Sequence, residues 1–115
     1  MLTAAGKVLF LNGGNTEPVK VVKHTAAPNA TASNNRIGAL QACSFETAAD
    51  GTDFRQLSSD VETVVPAATA TATHFSVYNS DDVAIHIIAM TTPRSGLVEG
   101  DTVTLKAADT RLTIN

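Results

Sequence analysis

Thr69-Ala-Thr-Ala-Thr-His-Phe-Ser-Val-Tyr78-Asn-Ser-Asp-Asp82-Val-Ala-Ile-His-Ile-Ile-Ala-Met90 is the stretch whose reading decides the fold. Thr and Ala alternate up to Phe75 and Val77, a period of two that suits a pleated, half-buried surface. Asn79-Ser80-Asp81-Asp82 is a turn signal, because these side chains hydrogen-bond nearby backbone. Val83 to Ile88 is the most hydrophobic run of the chain. The pattern predicts a long β-hairpin at the centre of a sheet. Phe75, Val77, Val83, Ile85 and Ile87 should form its core face, with His74, Tyr78 and His86 on the outer face.

Working outward, Ile37 to Phe45, Val61 to Val65, Gly100 to Leu105 and Thr110 to Ile114 alternate in the same way. Pro66 places the second of these at a strand edge. Ala107-Ala108-Asp109 reads as the turn between the last two. Thr91 to Gly96 reads as a loop. Near the N-terminus, Lys7 to Leu11 and Val19 to His24 flank Asn12-Gly13-Gly14-Asn15, a turn signal that predicts a hairpin and argues against a helix. Phe54 and Leu57 are anchors in an otherwise irregular connection that contains the turn signal Asp50-Gly51. Thr25 to Asn35 is a polar, small-residue loop without periodicity, long enough to be functional or ordered by a partner. Seven or eight short strands with frequent turns predict an all-β single domain spanning 1–115, a β-sandwich or barrel.

Composition narrows the function. With 115 residues the chain is long enough to bury a core without disulfides, and one cysteine allows no intrachain bridge. Cys43, without a cationic neighbour in sequence, reads as a small buried hydrophobe. The net charge of −3 is interspersed, so no basic stripe for nucleic acid and no polybasic membrane segment is present. Lys7 and Asn12-Gly13-Gly14 break the N-terminal apolar residues too early for a secretory signal, and no apolar run reaches membrane length. The chain reads as soluble, with no nucleic acid and no membrane among its partners.

Motifs for chemistry are missing. His24, His74 and His86 include no His-x-His pair, although His74 and His86 would face each other if the hairpin turned at Ser80. No serine sits in a Gly-x-Ser-x-Gly setting. The carboxylate pairs at Asp50/Asp53, Asp60/Glu62, Asp81/Asp82 and Glu99/Asp101 belong to turns. One tyrosine and no tryptophan leave sugar-binding platforms scarce. The expectation is a non-enzymatic protein with no cofactor and no metal.

From about Ile37 onward the chain resembles small β-rich structural proteins of tailed bacteriophages. The residues that carry the likeness are Leu40-Gln-Ala-Cys-Ser-Phe45, Ala70-Thr-Ala-Thr-His-Phe75-Ser-Val77, and Leu97-Val-Glu-Gly100-Asp101-Thr-Val103-Thr-Leu105 before Thr110-Arg-Leu112-Thr-Ile114. The turn after Tyr78 departs from that pattern, with Asp81-Asp82 where Asp-Gly would be expected. In size and composition the chain looks most like capsid cement or decoration proteins. The resemblance implies a jelly-roll-like fold, residence on the virion surface after synthesis in the host cytoplasm, and self-association as dimer or trimer. It also implies a partner, the major capsid protein, whose subunits the protein would bridge and stabilise. Segments outside clear strands would dock: 1–6, with Met1, Leu2 and Thr3, and 25–35, with Asn29, Asn34 and Asn35. Arg36, Arg94 and Arg111 would supply ion pairs at the rim. A minor head–tail or tail component, or a small lectin-like ligand-binding sandwich, are the alternatives.

Overall fold

In the computed structural model, which describes residues 2–48, 51–67 and 69–113, the hairpin is the longest feature. β5 (Thr69–Tyr78) and β6 (Ala84–Leu97) pair antiparallel, with Ser76 opposite Ile87 and Phe75 opposite Ile88. Asn79 builds the turn. Its Oδ1 accepts the backbone N–H groups of Asp81 and Val83, each at 3.0 Å, and its Nδ2 donates to the Asn15 carbonyl. Asp82 takes the left-handed conformation at φ 59°, a position Asp tolerates, which resolves the missing glycine.

β1 (Lys20–His24) pairs with β5 on one side and with β2 (Arg36–Ala42) on the other, giving a four-stranded sheet of order β2-β1-β5-β6. β3 (Phe54–Gln56) pairs with β8 (Arg111–Thr113), and β4 (Val61–Val64) with β7 (Thr102–Leu105). All pairings among the described strands are antiparallel, and the fold is all-β with one short α-helix. Val21, Phe75 and Val77 from the sheet meet Leu57, Val61, Val103, Leu105 and Leu112 from the ribbons in the main core. The last two strands therefore do not pair with each other; each closes an earlier one, and between them Ala107–Asp109 forms a 3-10 helix.

Several expectations are corrected. Residues 7–11 are not a strand but belong to helix α1 (Ala4–Leu11). Thr3 caps it, accepting the Gly6 N–H at 2.9 Å, while Gly13 and Gly14 donate to the Phe10 and Leu9 carbonyls in a Schellman ending. The glycines that read as a hairpin turn are a helix stop. Thr91–Gly96 is not a loop but lies within β6, where residues 90–93 bulge against β5 between the pairs His74–Ala89 and Ala72–Arg94. Tyr78 and His86 are not on a solvated face, for both are buried. Nor do His74 and His86 face each other: His86 is opposite Val77 and His74 opposite Ala89. The expected core face is split: Ile87 packs with Val22 and Tyr78 in a second cluster, Phe75 and Val77 belong to the main core, and Val83 is half-buried. The turn signal at Asp50 and the end of the last predicted strand at Ile114 lie outside the described residues.

Candidate functional site

The two segments expected to dock are both folded onto the sheet. Leu2 and Thr3 are extended but buried: Leu2 bridges to His86, the Thr3 N–H donates to the Ile85 carbonyl at 2.9 Å, and its hydroxyl to the Ala84 carbonyl at 2.6 Å. They close the outer edge of β6, a place where an unpaired strand invites association. Met1 lies outside the described residues. Behind this contact α1 packs with Gly6 against the Ile85 backbone, and turns Val8, Phe10 and Leu11 outward at 57, 49 and 82 % exposure. The sequence pattern of residues 7–11 instead predicts a short strand. The signal that would have found the helix is Thr3 as N-cap with Gly13 after the last turn.

Loop 25–35 forms a hydrogen-bonded cover over the second cluster of the sheet. Asn29 Oδ1 accepts the Ser33 N–H, Asn34 Oδ1 accepts the Asn29 N–H, and the Asn35 carbonyl accepts the Thr25 N–H. Ala32, at φ 54°, is fully buried against Val22, Tyr78 and Ala84. Its carbonyl accepts the Tyr78 hydroxyl at 2.7 Å and Arg36 Nε at 3.0 Å. Beneath it, His24 Nδ1 meets the Asn34 carbonyl at 2.8 Å, and Nε2 meets the Ser76 hydroxyl at 2.7 Å. A carbonyl accepts only, so Nδ1 carries the proton and Ser76 donates to Nε2.

This serine–histidine pair has the geometry of a base-activated nucleophile, and sequence reasoning missed it because the two lie on different strands. Both side chains have no exposed surface, and burial, first among its causes, holds the His24 pKa below its usual value. The arrangement pins the loop. Among the loop residues named from the sequence, Asn29, Asn34 and Asn35 are exposed but spend their side chains on the loop itself. Arg36 is spent on Ala32 and Tyr78, with its guanidinium 5.5 Å from the tyrosine ring centre.

The remaining arginines are apart. Arg111 stacks 4.2 Å from the Phe54 ring centre and donates to Gln56. Arg94 lines a cavity of about 320 Å3 with Lys106, Thr91 and Asp109, floored by Phe75, Met90 and Leu105. A second cavity, of about 240 Å3, lies beside α1 and is lined by Phe10 and His86. Cys43 packs against the main core, and burial pushes its thiol up to about 11. Among the described residues no three metal-ligating side chains converge, and no helix is long and apolar enough to cross a membrane. Comparison with protein-family models, curated proteins and solved structures returns no match.

Proposed function

We propose that the chain is a non-enzymatic virion protein, a capsid cement or decoration subunit that binds the outer surface of a phage head and bridges major capsid subunits. The observation that carries the docking part is the apolar face of α1, where Val8, Phe10 and Leu11 stand exposed on a helix whose other side is fixed to the sheet. Large apolar side chains left exposed together on one short helix mark a surface for another protein. The assignment of that protein to a capsid rests on the resemblance carried by residues 40–45, 70–77 and 97–114.

The rest of the molecule is consistent with a mechanical role. Its buried His24, Ser76 and Lys23 are committed to hydrogen bonds that tie segments together. The contact of Leu2 and Thr3 with His86 and Ile85 blocks lateral strand pairing at that point of the β6 edge. Repetition over a shell would multiply a modest contact by avidity. The test is to mix purified protein with expanded capsids lacking it and measure occupancy and resistance to heat. Saturable binding that raises the disruption temperature is the expected result. Absence of binding sinks the capsid reading, and binding to isolated tails or connectors instead moves the protein to that part of the virion.

A further inference from the structure

In the middle of β6, residues 90–93 stand against Thr73 alone, between the pairs His74–Ala89 and Ala72–Arg94. A bulge of this kind peels the strand from its ladder and re-aims side chains, and bulges are common beside binding sites. Thr91 fixes the detour by donating its hydroxyl to the Asp109 carbonyl at 3.2 Å. Between the bulge and residues 104–110 lies the cavity of about 320 Å3, a size at the lower end of small-molecule clefts.

This cavity is graded from floor to rim. Phe75, Met90 and Leu105 line it with side chains that are otherwise buried. Arg94 and Lys106 line it as exposed side chains. Neither makes an ion pair or a side-chain hydrogen bond among the described residues. The other three arginines, Arg36, Arg55 and Arg111, are all bonded within the chain, so Arg94 is the uncommitted guanidinium. Asp109 also lines the cavity, and two cations against one carboxylate leave a formal charge of +1.

We propose that this cavity binds a small free carboxylic acid with an apolar body, the body on Phe75, Met90 and Leu105 and the carboxylate on Arg94 and Lys106. A guanidinium fork matches the two oxygens of a carboxylate. One excess positive charge favours a monoanion. A phosphate dianion would meet Asp109 and has no apolar part for the floor. The gradient also separates a free acid from an acidic side chain of a partner protein. An Asp or Glu side chain enters tip first, which would set its charge on the apolar floor, where it loses its water. A free acid enters apolar end first and leaves its carboxylate among the exposed cations. The site is separate from the helix face and goes beyond the capsid reading.

Phenylacetate tests it, titrated at low ionic strength because salt screens exposed charges, and followed by NMR. Saturable shifts are expected at Phe75, Met90, Thr92 and Leu105. Phenylacetamide keeps the ring without the charge, and acetate the charge without the ring, so each should bind about tenfold more weakly. Arg94→Gln, at an exposed side chain with no bond within the chain, should weaken phenylacetate about tenfold and leave phenylacetamide unchanged. Asp109→Asn should tighten phenylacetate by removing a like charge. No saturable shift, equal binding of phenylacetamide, or indifference to Arg94→Gln overturns the site. Inorganic phosphate binding as tightly as phenylacetate overturns the apolar part of the assignment. Glutamate blocked at both ends, binding as tightly, overturns the free acid in favour of a partner's side chain.

Discussion

Lys23 Nζ, on a side chain with no exposed surface, donates to the Val61 carbonyl at 3.1 Å. It also bonds the Thr63 hydroxyl, which in turn bonds Gln41. The amine thereby ties β1 across the interior to β4, between Val21 on its own strand and the β4–β7 ribbon. Burial lowers its pKa to about 8, with Glu62 pulling weakly the other way.

An alkaline rise in stability follows. Between pH 8 and 10.5 the unfolded lysine holds a proton that the folded one has lost, so stability increases with pH, by on the order of 2–3 kcal/mol over the window. Cys43 opposes this from pH 9 upward, because its folded thiol keeps its proton to about 11. Denaturant melts of Cys43→Ala from pH 7 to 10.5 should show the rise cleanly, and adding Lys23→Met should flatten it. An unchanged slope in the double variant would exclude Lys23 as its source.

Acid should act through the two buried histidines. His86 is held down to about 4 and His24 is lowered too, both chiefly by burial. Below the ordinary value near 6.5 the unfolded chain takes up protons that the folded chain refuses, so stability falls as pH drops from 6.5 to 4. Thermal melts across that range should show the loss, and His86→Phe should remove part of it.

Gly6→Ala should loosen α1. A Cβ at this position would collide with the Ile85 carbonyl oxygen and lie 3.0 Å from its Cα, both backbone atoms that cannot step aside. The expected cost is about 1–3 kcal/mol by denaturation. Hydrogen exchange should localise the loss to the Thr3 and Lys7 amides, which bond the Ile85 and Thr3 carbonyls. Exchange spread evenly over the sheet would contradict this.

Tyr78→Phe should release the cover loop. It strips the Ala32 carbonyl of its 2.7 Å donor and Arg36 of an acceptor, at a cost of about 1–3 kcal/mol for buried groups left short. The Ala32 amide, bonded to the Asn29 carbonyl, should then exchange faster, while β5–β6 amides hold. Ser76→Ala, which removes the partner of His24 Nε2, should do the same to a smaller degree.

The sequence by itself determined the β5–β6 hairpin, its Asn79 turn, the alternation of Val61 and Thr63, and the all-β class. Those signals are local, since a period of two and a turn's own side chains are written in consecutive residues. Cys43 as a packing residue was legible for the same reason. The stretch 7–11 misled because a short apolar run carries no period of its own, and only Thr3 and Gly13 at its ends distinguish helix from strand. Burial of Tyr78 and His86 was decided by what covers them: loop 25–35 on one face, Leu2 and the β3–β8 ribbon on the other. The tie from Lys23 to Val61 and the His24–Ser76 pair belong to tertiary structure alone. Each joins residues far apart in the chain, and a buried polar group's partner is set by which strands pack together, which no local pattern records.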